Sequence, residues 1–266
     1  MADRFRVTLA QLNPTVGDLV GNAAKARAAW AEGRKAGADL VALPEMFLTG
    51  YNTQDLVMRP VFQQAAMAAA EQLAQDCADG PALAIGCPWV DGDKLFNAYL
   101  ILKDGKISSQ CLKHHLPNET VFDEVRIFDV GPLGGPYAVG DTRIGSPICE
   151  DGWHEDVAET LEETGAEFLL IPNGSPYYRN KMEVRQNHMV ARAVETGLPV
   201  IYLNLVGGQD DQVFDGGTFV LNPGGALALQ MPVFDEAITQ LDLQRTPEGW
   251  RAVEGEKAHL PDEWEQ

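Results

Sequence analysis

The sequence has 266 residues, 45% of them apolar, and a formal net charge of −19. That size and composition allow a sizeable core, and the acidic balance excludes a general phosphate-binding face and argues against docking on anionic lipid. The N-terminal residues carry no apolar signal region, no apolar run approaches membrane length, and Cys77, Cys87, Cys111 and Cys149 form no close pair. The expected setting is therefore cytoplasmic, with free thiols and neither nucleic acid nor membrane as partner.

In chain order, residues 6–12 read as a strand, 22–35 as an Ala-rich helix, 39–43 as a short apolar strand and 61–76 as a second Ala-rich helix. Strands are predicted over 83–86, 95–102 and 106–110, with Asp104-Gly105 as a hairpin turn between the last two. A strand over 141–148 runs into Cys149, followed by a helix over 156–163, a strand over 167–171, a helix over 181–196 and a strand over 199–204. Strands over 218–221 and 226–230 flank the turn Asn222-Pro223-Gly224-Gly225, and 238–241 is the last strand. The irregular stretch 114–141 is long enough to suggest function. The pattern is α/β alternation mixed with antiparallel hairpins, one domain without repeats, ending in an acidic C-terminal arm from about 245.

Three polar residues stand where apolar strands run out, the usual place for chemistry in α/β folds. Glu45 follows Leu43-Pro44 and precedes Met46-Phe47. By position alone it is more often solvent-facing, but buried there it would have the raised pKa of a general base. Lys113 closes the strand Gln110-Cys111-Leu112; such a lysine is usually at the surface, and its functional alternative is to stabilise negative charge on a carbonyl oxygen. Cys149, in Ile148-Cys149-Glu150-Asp151-Gly152, ends a strand abruptly before acidic residues and a Gly. That is the layout of a nucleophile on a tight turn, although a buried core cysteine is the commoner case. An unperturbed thiol has a pKa of about 8.5 and needs a base or a cation to act at neutral pH.

At these residues the sequence resembles the carbon–nitrogen hydrolase (nitrilase) superfamily. The motifs are a Glu after a strand-end Pro, a Lys before His-Leu-Pro and a Cys after a Gly-x-x-Ile strand, in that order. The resemblance is closer to one branch, the glutaminase domain of glutamine-dependent NAD synthetase. Four segments carry it: 44–51 with Asp55-Leu56, 116–118 with 121–128, 149–153, and 206–211 with 213–217. The resemblance implies a four-layer αββα sandwich, an α/β fold, with a Glu45–Lys113–Cys149 triad and Glu124 as a second acidic residue near the lysine. It implies that the backbone N–H of Glu150 faces the oxyanion, that Tyr51 lines the site, and that Glu119, Ser175 and Lys181 fall where the branch holds glutamine. Position 119 is often aromatic in that branch, so Glu119 is a departure. Ser175, in Asn173-Gly174-Ser175-Pro176, is by composition a turn residue.

The implied partners are L-glutamine, a synthetase domain and a second copy in a homo-oligomer. Neither a Ser-Gly-Gly-x-Asp loop nor a G-x-x-x-x-G-K-[ST] loop occurs. The synthetase domain, with its use of ATP, is therefore expected to be absent, and no cofactor is expected for this domain. Three rival readings share the sequence: a free-standing amidase or carbamoylase, a non-catalytic interaction module, and a metal site from Cys111, His114, His115 and Cys149. No metal is expected, because adjacent histidines should point apart and the spacing fits no common zinc pattern.

Overall fold

A computed structural model describes residues 3–119 and 121–261. Its elements in chain order are β1 (Arg4–Gln11), α1 (Leu19–Ala36), β2 (Leu40–Ala42), α2 (Pro60–Asp76), β3 (Ala82–Asp91), β4 (Lys94–Lys103), β5 (Lys106–Leu112), α3 (Glu124–Ile127), β6 (Tyr137–Val139) and β7 (Thr142–Gly145). There follow α4 (Glu155–Glu163), β8 (Phe168–Asn173), α5 (Lys181–Thr196), β9 (Val200–Asn204), β10 (Val206–Gln209), β11 (Gln212–Asp215), β12 (Phe219–Leu221), β13 (Leu227–Gln230), β14 (Ala237–Thr246) and β15 (Gly249–Ala252).

Two sheets form the centre, in the orders β15-β14-β1-β2-β3-β4-β5 and β13-β12-β9-β8-β7-β6. Their facing surfaces share one apolar layer that includes Val7, Leu9, Leu40, Ile144, Phe168 and Ile201. The outer face of the first sheet is covered by α1 and α2 through Ala26, Ala29, Trp30, Ala66, Ala70 and Leu73. The outer face of the second is covered by α4 and α5 through Val157, Leu161, Met189 and Ala193. Small residues on α1 and α2 let both helices lie close to the sheet, and α5 has a stronger polar face. The expected αββα order follows from these three apolar layers. No helix among the described residues is long and apolar enough to cross a membrane.

Local chemistry sets the element ends. Asp18 accepts the Gly21 N–H at the start of α1, and Gly37 ends it in the left-handed region (φ 68°). Pro60 starts α2 where its missing N–H costs nothing. Asp104 and Gly105 both have positive φ, 52° and 77°, as a two-residue hairpin turn requires.

Three expectations are corrected. The strand predicted over 141–148 ends at Gly145, because Ser146-Pro147 follows and a proline cannot donate to a ladder. The arm expected from about 245 begins as sheet: β14 runs to Thr246 and β15 returns beside it, while its last residues, 262–266, lie outside the described residues. Trp250 anchors that hairpin against Phe5, with ring centroids 6.5 Å apart, an apolar contact hidden among acidic neighbours. The segment 206–217, with no predicted structure, forms the ribbon β10–β11.

Candidate active site

Glu45 leaves the end of β2 on a chain held by β3: Leu43 N–H donates to the Ala84 carbonyl (2.9 Å) and Gly86 N–H to the Pro44 carbonyl (3.1 Å). Gly86 is needed for this approach, since a Cβ there would stand 2.0 Å from the Met46 nitrogen and 2.5 Å from the Glu45 carbonyl carbon. Lys113 follows β5, its N–H donating to the Asn97 carbonyl on β4 (2.9 Å). Cys149 begins a short 3₁₀ turn, Cys149–Trp153, with φ 49°. A non-glycine residue in that region is strained, and strain of this kind concentrates at functional sites.

Asp151 fixes the cysteine turn. Its Oδ2 accepts the Ile148 N–H (3.0 Å), and its Oδ1 accepts the N–H groups of His114 (3.1 Å) and His115 (2.7 Å). One carboxylate thus ties the turn carrying Cys149 to the segment after Lys113. Burial pushes the Asp151 carboxyl above its ordinary range against the pull of these donors.

The centre is fully buried. Lys113 Nζ lies 2.7 Å from Glu45 Oε1 and 2.7 Å from Glu124 Oε2, with side-chain exposures of 0, 0 and 1%. Gly174 N–H donates to Glu45 Oε2 (2.7 Å), Tyr51 Oη–H to Glu124 Oε1 (2.8 Å), and Asn97 Nδ2 to Glu45 Oε1 (2.7 Å) and Glu124 Oε1 (3.0 Å). Gly174 has no room for a Cβ, which would fall 2.4 Å from a Tyr51 ring carbon.

The charges settle the resting protonation. Burial works against the Lys113 ammonium, but Glu124 and Glu45 together outweigh it and raise its pKa well above the lysine value. Burial pushes the Cys149 thiol well up, the charge of Glu45 adds to this, and Lys113 only partly offsets it. The resting site is therefore a thiol beside an ammonium paired with Glu45 and Glu124, and a base must take the thiol proton during attack. Burial also pushes up the other thiols, Cys77 and Cys111 to about 12 and Cys87 further. What distinguishes Cys149 is that its charged neighbours, Glu45, Glu124 and Lys113, are themselves buried, whereas Asp76 and Arg27 beside Cys77 are partly exposed.

The remaining expected residues fall in three places. Tyr51 and Glu124 belong to the buried cluster. Glu119, Glu150 and Lys181 line an open pocket of ≈ 620 Å³ together with Pro117, Phe122 and Trp153. Lys181 Nζ lies 4.2 Å over the Trp153 ring and 3.3 Å from the Tyr178 hydroxyl. Ser175 is 3% exposed, and its hydroxyl accepts from Arg185 Nε (3.1 Å). Arg185 also donates to the Ser175 carbonyl (2.7 Å) and pairs with Asp215 on β11 (2.8 Å). Tyr177 N–H donates to the Val213 carbonyl (2.7 Å). The β10–β11 ribbon thus braces the loop that presents Gly174 to Glu45.

Sequence reasoning missed Asn97, Gly174, Asp151 and Arg185. Asn97 left one signal, a lone amide inside the apolar run Leu95–Leu102. Among the described residues, one group brings three metal-type donors within 4.8 Å of one another: His114, His115 and Asp156. It contains neither Cys111 nor Cys149. The two histidine rings do not point apart as expected but meet edge to face, centroids 4.8 Å apart, and His115 Nε2 pairs with Asp156 at 2.8 Å.

The family model described as carbon-nitrogen hydrolase matches residues 6–251. Glutamine-dependent NAD(+) synthetase from Rhodobacter capsulatus is 58% identical over 266 residues, 100% of this chain and 48% of that protein. The Thermotoga maritima protein of the same name is 37% identical over 244 residues, 90% of this chain and 42% of its own length. The chain spans about half the length of the curated relatives it matches. Among solved structures, glutamine-dependent NAD+ synthetase from Acinetobacter baumannii, in complex with ADP, superposes with TM-score 0.92 at 31% identity, over 98% of this chain and 49% of that one. An amidase from Nesterenkonia sp. AN1 shares the fold, with TM-score 0.80 at 23% identity over 90% of both chains.

Proposed function

The chain belongs to the carbon–nitrogen hydrolase family, and from that premise we propose that it hydrolyses the side-chain amide of L-glutamine through a thioester on Cys149. The observation that carries the chemistry is the buried Lys113 ammonium, 2.7 Å from both Glu45 and Glu124, within the electrostatic reach of a strained cysteine. The substrate rests on the similarity to glutamine-dependent relatives along the whole chain.

Glu45 takes the thiol proton as the Cys149 sulfur attacks the amide carbon. Lys113 and the Glu150 backbone N–H stabilise the tetrahedral oxyanion. The C–N bond breaks as Glu45 returns the proton to nitrogen, releasing ammonia and leaving a thioester. Water then gives a proton to Glu45 as it attacks. The second intermediate collapses to glutamate, and the sulfur recovers the proton. Glutamine and water become glutamate and ammonia, with no cofactor in this unit. Glu124 and Tyr51 hold Lys113 in place, while Glu119, Lys181 and Ser175 serve the substrate's amino-acid end. The ammonia is used by a synthetase partner in the ATP-dependent amidation that makes NAD.

The test is ammonia release from L-glutamine, asparagine, simple amides and carbamoyl compounds. Glutamine is expected to be preferred, and Cys149→Ala to lose several orders of magnitude in rate while staying folded. Glutamine turnover retained by that variant contradicts the scheme, and preference for a carbamoyl compound points to the rival amidase.

A further inference from the structure

Asn97 lies in the middle of β4, 1% exposed, among apolar neighbours. A lone amide in such a strand costs free energy unless hydrogen-bonded; here its Oδ1 has no partner among the described residues, and its Nδ2 donates to two carboxylates, Glu45 Oε1 at 2.7 Å and Glu124 Oε1 at 3.0 Å. Its backbone carbonyl accepts the Lys113 N–H at 2.9 Å. One residue therefore touches all three charged members of the cluster. Both carboxylates are gripped at both oxygens. Glu45 holds Lys113 and Asn97 on Oε1 and Gly174 on Oε2; Glu124 holds Asn97 and Tyr51 on Oε1 and Lys113 on Oε2. Removing Asn97 leaves Lys113 as the one group joining the two like charges.

We propose that Asn97 is a positioning residue for the hydrolysis, a neutral clamp that fixes the orientation of the Glu45 base and the spacing of Glu45 and Glu124 around Lys113. The inference rests on the glutaminase reading and names a residue which that reading does not use. Neutrality matters, because two acidic side chains already share one lysine in the buried site. An amide adds two donors without adding charge, whereas aspartate adds a third negative group. Asn97 acts through the buried carboxylates, so its loss acts on the chemical step more than on substrate binding.

The test uses Asn97→Leu, similar in size, Asn97→Ser, which leaves room and a small polar group, and Asn97→Asp. A misplacement of about 1 Å can cost about 10²-fold, so kcat for glutamine is expected to fall by up to that order in N97L, with KM within a few-fold. A third carboxylate beside the buried pair disfavours negative charge in the cluster, so the acid limb of kcat/KM moves to higher pH in N97D, whose activity recovers in part as pH rises. A merely structural role predicts lower melting temperature with an unmoved pH limb, and that result overturns the proposal. If N97L fails to fold, N97S and N97D carry the same readouts. The alkylation rate of Cys149 by iodoacetamide against pH, followed by peptide mass spectrometry, reads the same cluster without turnover. Glutamine turnover surviving in Cys149→Ala overturns the glutaminase reading itself. Normal kcat and an unmoved acid limb in the Asn97 variants, with Cys149→Ala inactive, overturn this inference alone.

Discussion

Lys113 is a buried cation whose charge is held up by two carboxylates, and its removal has a consequence that depends on pH. In Lys113→Met, Glu45 and Glu124 face each other without a counter-charge. Burial already raises the Glu124 pKa, with Lys113 pulling it down and Glu45 pushing it up; losing Lys113 raises it further. An acid whose folded pKa lies above its unfolded value, about 4.3, gives stability that is fully present below that value and is lost as pH rises through the folded pKa. Lys113→Met is therefore expected to lose about 3–5 kcal/mol at neutral pH, the usual cost of breaking a buried pair, and to recover most of it near pH 4. Urea denaturation at the two pH values checks this, and an equal loss at both contradicts it. At this scale the sequence showed which residue types were present but not their burial. Position alone favoured surface roles for Glu45 and Lys113, and the resemblance reversed that. Asn97 and Gly174 act through an amide and a backbone N–H, which become visible only once strands far apart in sequence are brought together.

The element that matters most is the turn Cys149–Trp153. The sequence reading found an abrupt strand end there, but placed the strand three residues too long and gave Asp151 no task. Asp151 instead accepts backbone N–H groups from Ile148, His114 and His115. Asp151→Ala leaves the buried Ile148 N–H unpaired, at a cost of about 1–3 kcal/mol, releases the half-buried N–H groups of His114 and His115, and lets the cysteine turn move relative to Lys113. Reduced melting temperature together with reduced kcat is expected; lower stability with unchanged kcat would show that the turn keeps its geometry without the tie. Helices and long strands were legible because periodicity and caps are local. The ribbon β10–β11 was not, because its strands are four residues each, β10 is half glycine, and both are held by the 174–177 loop and the Arg185–Asp215 pair.

Across the whole molecule, the site stands where strand ends from the two sheets converge: Glu45 and Lys113 follow β2 and β5 of one, and Cys149 and Gly174 follow β7 and β8 of the other. The αββα layering is what brings them together, since each sheet alone offers only half of the cluster. Alternation of helix and strand made the class legible, whereas strand order depends on crossovers that no local pattern records. On the proposed reaction, this convergence makes Cys149 the nucleophile toward glutamine. The most direct test of that role is peptide mass spectrometry of the protein quenched in acid during turnover of L-glutamine. A glutamyl adduct on Cys149, lost in Glu45→Gln, is the expected result; an adduct on Cys77, Cys87 or Cys111, or turnover with no adduct on Cys149 under conditions that trap thioesters, would contradict it.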